Sequence, residues 1–304
     1  MKLTVTVITR NEAANLAGAL ESVRWADEIV VVDSRSSDET VEIARRYATR
    51  VEVHDWKGYS AQRNYAAEIA ANDWILAIDA DERVSQALAD EILEILRKGP
   101  NVRGYRMPRV SFYLGRWIKG TDWYPDYQLR LYDRRVGQFN GKRVHESVEL
   151  SDGRPGTLKN DLQHYPYRDI SDHVTSIDHY TTLAAEEWSA AGRRTGVLDV
   201  VLHPPAAFLR NYILRGGFRD GMPGFLISVL NSYYVFLKIL KLWEIQCGWH
   251  GAMRVPPGGR RRKFERAPNA DQPGNPRLDD DQSPLQSPID NPPSNRRSAV
   301  DHRH

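Results

Sequence analysis

A single cysteine, Cys247, stands in 304 residues, which excludes an internal disulfide and fits a reducing compartment. A dominant charge sign is also missing. Forty-two Lys and Arg face 40 Asp and Glu, a formal +2, so no whole-molecule field attracts nucleic acid and any basic surface is local. One such cluster is Arg260-Arg261-Arg262-Lys263. No Gly-x-Gly-x-x-Gly follows the first apolar run, where Thr9-Arg10-Asn11-Glu12 stands instead, and no Walker lysine loop occurs. A dinucleotide-dependent dehydrogenase and a P-loop ATPase are thereby disfavoured. The opening Met1 to Ile8 is too short in its apolar stretch, and too soon followed by Arg10 and Glu12, to read as a secretory signal, so the protein is expected to stay inside the cell. The longest uncharged run, Met222 to Leu237, is near the lower limit for spanning a bilayer and contains Pro223 and Asn231. From Arg254 onward aromatics almost vanish, and residues 254–304 are expected to be disordered. No internal repeat is evident.

What is present is a soluble globular composition, 41% hydrophobic and 27% charged. Up to about residue 100 apolar strands alternate with helical spacing, the rhythm of a mostly parallel sheet covered on both faces. Strands are expected at Leu3 to Ile8, Glu28 to Val32, Val51 to Val53 and Trp74 to Ile78. Thr9-Arg10-Asn11-Glu12 and Ser36-Ser37-Asp38-Glu39 read as capping boxes opening two helices, with others at Ser60 to Ala71 and Ser85 to Lys98, the last stopped by Gly99-Pro100. Aromatic and Arg-rich strands follow at Tyr105 to Val110, Tyr127 to Tyr132 and Val144 to Leu150. Helical spacing returns over 170–195, and 205–245 form an apolar, aromatic series interrupted at Gly216-Gly217 and Pro223-Gly224.

Asp79-Ala80-Asp81-Glu82 emerges where the fourth buried strand meets solvent, the rim at which open α/β sheets place ligands. Such an acidic pair either converges on a hard divalent cation, Mg²⁺ or Mn²⁺, or is a polar turn. Strand two ends in Asp33 at the same rim, where the carboxylate either accepts from a nucleobase or ribose or closes an Asx-type turn. A phosphatase with an aspartyl nucleophile would carry its acidic pair after the first strand, not the fourth.

Taken together, Val5 to Glu12, Val31-Val32-Asp33-Ser34 with Ser36-Ser37-Asp38, Gln62-Arg63-Asn64 and Asp79-Ala80-Asp81-Glu82 resemble glycosyltransferase family 2 of the GT-A fold. The likeness is closest to bacterial lipopolysaccharide-core β-glucosyltransferases. It extends through Trp123-Tyr124-Pro125-Asp126-Tyr127-Gln128-Leu129-Arg130-Leu131 and Val144-His145-Glu146, covering residues 3 to 245. The resemblance implies that Thr9, Asn11, Glu12, Asp33, Arg63, Asp79 and Arg130 bind the nucleotide-sugar, a UDP-hexose by expectation, and that Asp79, Asp81 and His145 hold the Mg²⁺ or Mn²⁺. It also implies inversion by single displacement, which requires a general base. Asp126, in its aromatic segment, and Glu146 are the catalytic candidates, with Asp126 preferred. Arg35 departs from the small residue usual after the strand-two aspartate: either the turn tolerates a side chain or Arg35 reaches the diphosphate.

The expected organisation is a GT-A domain over 1–165, with a nucleotide-sugar half to 100 and an acceptor half beyond, then a helical region over 166–250 and the tail from 251. The segment from Phe208 to Trp243 is edged by Arg210, Arg215, Arg219, Lys238 and Lys241 and reads either as a bilayer-interface helix or as a core or dimer contact. The expected activity is transfer of a hexose, glucose by preference, to a glycolipid or lipopolysaccharide-core acceptor at the inner face of the cytoplasmic membrane. Alternatives are a non-catalytic sugar-nucleotide or glycan-binding relative and a sugar-phosphate nucleotidyltransferase, although the latter would carry a glycine-rich loop after strand one.

Overall fold

A computed structural model describes residues 1–141 and 146–248. At its centre is β1 (Leu3–Thr9), buried along its whole length. It is flanked in parallel by β2 (Glu28–Asp33) and β4 (Trp74–Asp79), with β3 (Arg50–Val53) outside β2. Such strands bury both faces, and the alternation of β2 shows it. Val31 joins the core with Leu16 and Leu20 of α1 (Ala13–Glu21) and Leu88 and Ile92 of α4 (Gln86–Lys98), whereas Val30 and Val32 face Ala66 of α3 (Tyr59–Glu68). Each fully buried Val or Leu here stabilises by roughly 1.5–3 kcal/mol. The register pairs Thr9 with Asp33 and Ile8 with Asp79, so both acidic positions stand on one rim, as expected.

Beyond residue 100 the sheet continues in mixed sense. β8 (Asp126–Asp133) runs antiparallel to β4, and β6 (Gly104–Tyr113) antiparallel to β8. β12 (Leu162–His164) is parallel to β6 and antiparallel to β5 (Glu82–Val84). Short strands β7 (Arg116–Ile118) and β11 (Gly156–Thr157) pair with β6, and β9 (Gly137–Phe139) with β10 (Val148–Leu150) make a separate ribbon. The last helices are α5 (Ile170–Ala190), α6 (Val197–Leu209) and α7 (Gly221–Gln246), with a π turn at Arg210–Leu214 and a 3-10 turn at Gly217–Asp220 between the latter two.

Several local expectations are corrected. Neither capping box forms: Thr9 is still strand and its hydroxyl donates to Asp33, while Ser36 also serves Asp33. The second helix, α2 (Thr40–Tyr47), is opened instead by Asp38, whose Oδ1 accepts the Thr40 N–H at 3.1 Å. α3 stops at Glu68, and α4 is capped by Ser85, as expected, with Gly99 at φ +89° after its end. Pro223-Gly224 does not interrupt the apolar series. It lies in the first turn of α7, where a missing N–H costs nothing, and the interruption falls at Gly216, φ +70°. The 254–304 tail lies outside the described residues.

Candidate active site

The loop after β1 is laced to the loop after β2. Asn11 takes φ +54°, its N–H donates to Ser36 Oγ and its side-chain carbonyl accepts from Ser37 N–H, both at 2.8 Å. The Glu12 N–H donates to Thr40 Oγ1 at 2.8 Å. Asp33 is fully buried, and both oxygens are engaged: Oδ1 by Ser36 N–H at 2.8 Å, Oδ2 by Thr9 Oγ1 at 2.9 Å and by Ser36 Oγ. The Ser36 N–H bond closes an Asx-type turn at Asp33. Arg35 sits at φ +59° and ion-pairs with Asp55 in solvent, so the turn tolerates its side chain.

Asp79 leaves the end of β4 between two buried guanidiniums, Arg63 of α3 on Oδ1 at 2.5 Å and Arg130 of β8 on Oδ2 at 2.6 Å. Burial alone would raise its pKa, but Arg130 and then Arg63 outweigh it and hold the carboxyl well below the usual range. The arrangement continues in both directions. Arg63 also reaches Glu146 at 2.7 Å. Arg130 reaches Glu82 at 2.9 Å, Glu82 accepts from Arg109 of β6 at 2.9 Å, and Arg109 Nη2 and Nε donate to Asp126 Oδ2 at 2.6 and 2.9 Å. Gln128 donates to the other Asp126 oxygen at 2.8 Å. Glu146, Arg63, Asp79, Arg130, Glu82, Arg109 and Asp126 thus alternate in sign along one buried line drawn from four strands, one helix and one loop.

Asp81 takes a different path. Its Oδ2 is 3.3 Å from His164 Nε2, whose Nδ1 is 3.2 Å from Ser111 Oγ, and its carbonyl accepts Tyr165 N–H at 2.9 Å. Burial, and after it the charge of Asp81, push the Glu12 carboxyl up to about 7. Carboxylate oxygens such as those of Asp81 and Glu12 are hard donors of the kind a divalent cation takes. Asp79, with both oxygens on guanidiniums, does not fit direct coordination. The expected convergence of Asp79 and Asp81 on one ion is therefore not seen, and no three His, Cys, Asp or Glu side chains gather as ligands among the described residues. His145 lies outside the described residues.

The structure brings together Arg63, Asp79, Arg130, Asp126 and Glu146, and sets Asp81 apart from them on His164. Sequence reasoning missed Arg109 and His164, and also a polar cluster at the end of β2: Gln62 bridges Ser34 Oγ at 2.8 Å and His54 Nδ1 at 2.7 Å, and the His54 ring stacks on Tyr65 at 4.1 Å. Gln62 was within reach as the first residue of the quoted Gln62-Arg63-Asn64.

Residues 4–145 match the profile of Glycosyl transferase family 2. A glycosyltransferase of Rickettsia typhi without assigned function is 31% identical over 80% of this chain and 87% of its own. The chain belongs to glycosyltransferase family 2. A lipopolysaccharide core biosynthesis glycosyltransferase, LpsC of Rhizobium meliloti, is 29% identical over 80% of this chain and 93% of its own. Among solved structures, a Pyrobaculum calidifontis mannosyltransferase in complex with GDP-Man and Mn²⁺ is similar at TM-score 0.49 and 17% identity, covering 80% of this chain and 87% of that one. The sheet is parallel around β1 and mixed beyond β4, with Asp33 and Asp79 on one rim.

Proposed function

We propose that this family 2 enzyme transfers a hexose from a nucleoside-diphosphate sugar, UDP-glucose by preference, to an envelope glycolipid of the lipopolysaccharide-core type, with inversion at the anomeric carbon. The observation that carries this reading is the buried line of alternating charges, which holds Asp126 and Glu146 beside the acidic rim at Asp79 and Asp81. The name of the LpsC relative supports the acceptor class.

In a single displacement the acceptor hydroxyl oxygen attacks the anomeric carbon as the bond to the diphosphate oxygen breaks, and the hydroxyl proton passes to a carboxylate. We assign that proton to Asp126, with Glu146 the alternative base. Arg109 fixes the Asp126 carboxylate so that little reorganisation is needed when the proton arrives. The electron pair of the broken bond leaves on the nucleoside diphosphate. A divalent cation, when bound, supplies neutralisation of that developing charge, and Asp81 with Glu12 would hold it, joined by His145 in our reading. Asp79 then acts through Arg63 and Arg130, orienting guanidiniums suited to a diphosphate. The apolar helices α6 and α7 set the enzyme against the cytoplasmic face of the membrane. A screen of nucleotide-sugars for Mn²⁺-dependent hydrolysis and transfer tests the reading. Donor binding with no turnover of any sugar would instead make the protein a non-catalytic sugar-nucleotide binder.

A further inference from the structure

Far from the acidic rim, a cavity of about 330 Å³ opens between the end of α5, α6 and α7. Its wall is basic, carrying Arg193, Arg194, His203, Arg210 and Lys238, and its floor is apolar, formed by Val235, Ile239 and Leu242. Two of the cations share one indole: the Arg193 guanidinium lies 3.7 Å, and the Lys238 ammonium 4.3 Å, from the Trp188 ring centre. Both cations are fixed on an aromatic ring at the wall of the recess, where their charge is available to attract an anion. Asp199, the acid in the lining, is turned to its own helix start, accepting from Gly196 N–H at 2.8 Å and Thr195 Oγ1 at 3.3 Å. Arg210 is already paired with Asp122 at 3.0 Å and His203 with Asp199 at 3.4 Å, so Arg193 and Arg194 are the cations of the wall on which an anion would draw.

The second observation is the surface that borders this cavity. α6 turns Val197, Leu198, Val201 and Leu202 outward at 76, 73, 58 and 61% exposure. These lie on one helical face, spaced by one and four residues, while Asp199, His203, Ala206 and Ala207 line the cavity. Leu202 and Ala206 are one turn apart, so the apolar strip ends at the cavity mouth. Hydrocarbon-seeking side chains beside an electropositive recess match one ligand form, in which a phosphate is covalently joined to acyl chains.

Resting on the membrane-facing part of the proposed function, we infer that this recess binds the phosphate headgroup of an anionic phospholipid in the leaflet, with the α6 strip sunk among its acyl chains. The basic wall supplies selectivity for negative lipid, and the strip supplies depth.

The full chain, floated with vesicles of phosphatidylcholine and phosphatidylglycerol, tests this against vesicles of phosphatidylcholine alone. The parent protein is expected to bind the anionic vesicles at least tenfold more tightly. R193E/R194E and, separately, L198S/L202S are each expected to lose at least tenfold in that binding, with unchanged melting temperature and unchanged donor hydrolysis in the absence of acceptor. R193E/R194E binding as tightly as the parent, or equal binding to both vesicle types, would overturn the assignment. So would vesicle release by inorganic phosphate beyond the release by chloride at equal ionic strength, since free phosphate would then be the occupant. Lost hydrolysis with intact vesicle binding would count against the chemistry of the preceding section and leave the lipid site standing.

Discussion

Arg109 joins Glu82, fully buried, to Asp126, and its removal leaves the four carboxylates of the line to two guanidiniums, with Glu82 keeping Arg130 and Asp126 keeping Gln128. Uncompensated buried charge of this kind costs about 3–5 kcal/mol, and Arg109→Met is expected to lower unfolding free energy by that amount in denaturant titration. A change under about 1 kcal/mol would mean that the line of charges is not the stabilising unit described here. Asp79 and Asp81 should separate by the same logic. Asp81→Ala abolishes transfer while the melting temperature holds, because Asp81 contacts a histidine and no guanidinium. Asp79→Ala abolishes transfer and also destabilises, because Arg63 and Arg130 lose their common partner. For the base, Asp126→Asn is expected to reduce transfer at least about a hundredfold with donor affinity little changed, and Glu146→Gln to do less. The opposite order of the two variants in single-turnover assays would assign the proton to Glu146. Much of this site was legible in the sequence because its acids sit in short runs at strand ends. Arg109 was not, since an arginine inside the strand Tyr105 to Val110 reads as an outward position. Its burial depends on acids 27 and 17 residues away that only the folded sheet brings to it.

At the scale of elements, α5 is seated by His173, whose Nδ1 lies 3.0 Å from the Tyr113 hydroxyl and whose ring stacks on Tyr167 at 4.1 Å. Burial pushes the imidazole pKa down to about 3, against 6.5 in the unfolded chain. In the window between those values the unfolded chain holds a proton that the folded chain does not. Stability from this group is therefore complete above pH 6.5 and falls as pH drops toward 3, at a limiting slope of about 1.4 kcal/mol per pH unit. His173→Phe should flatten that limb of the pH–stability curve, and an unchanged slope would locate the acid sensitivity elsewhere. The turn between α6 and α7 is tied to the loop after β7, three residues of which lead directly to Trp123. Asp220 Oδ2 accepts Gly120 N–H at 2.6 Å, and Thr121 N–H donates to Arg215 carbonyl at 3.1 Å. A Cβ on Gly224 would sit 2.0 Å from the Gly217 carbonyl oxygen, so Gly224→Ala forces backbone apart and is expected to cost about 1–3 kcal/mol in thermal unfolding. The first four parallel strands and α1 to α4 were legible because their apolar periods are clean. The capping boxes were misread because Thr9 and Ser36 are used across the rim by Asp33, a partner 24 residues from Thr9. α6 falls within the helical region expected over 166–250 but was not delimited, since Pro204 and Pro205 lie inside it.

For the whole molecule the proposed membrane association turns on whether the apolar C-terminal helices would enter a bilayer from one side or cross it. The stretch Gly217–Gln246 is long and apolar enough to cross by length and composition, at hydropathy 1.5, with 33% of its most apolar window buried. Length alone does not settle the matter, because α7 is not free to leave its neighbours. Ile227, Ser228, Asn231, Tyr234, Ile239 and Leu242 are buried along its inner face. Lys241 Nζ reaches Asp178 Oδ1 and Thr182 Oγ1 on α5, both at 2.7 Å. A crossing α7 would either give up that packing or carry α5, with Asp172, Asp178, Glu186 and Glu187, into hydrocarbon, at about 2.5–3.5 kcal/mol for each charged side chain held at the helix centre. Lying in the headgroup region avoids both costs and leaves outward Met222, Phe225, Val229 and Tyr233 in contact with lipid. The protein is therefore expected to be released from inverted membrane vesicles by alkaline carbonate, with proteolytic sites introduced near residues 194 and 248 cleaved from the same side. Resistance to carbonate together with cleavage from opposite sides would establish a true span and require α7 to unpack from α5 at the membrane.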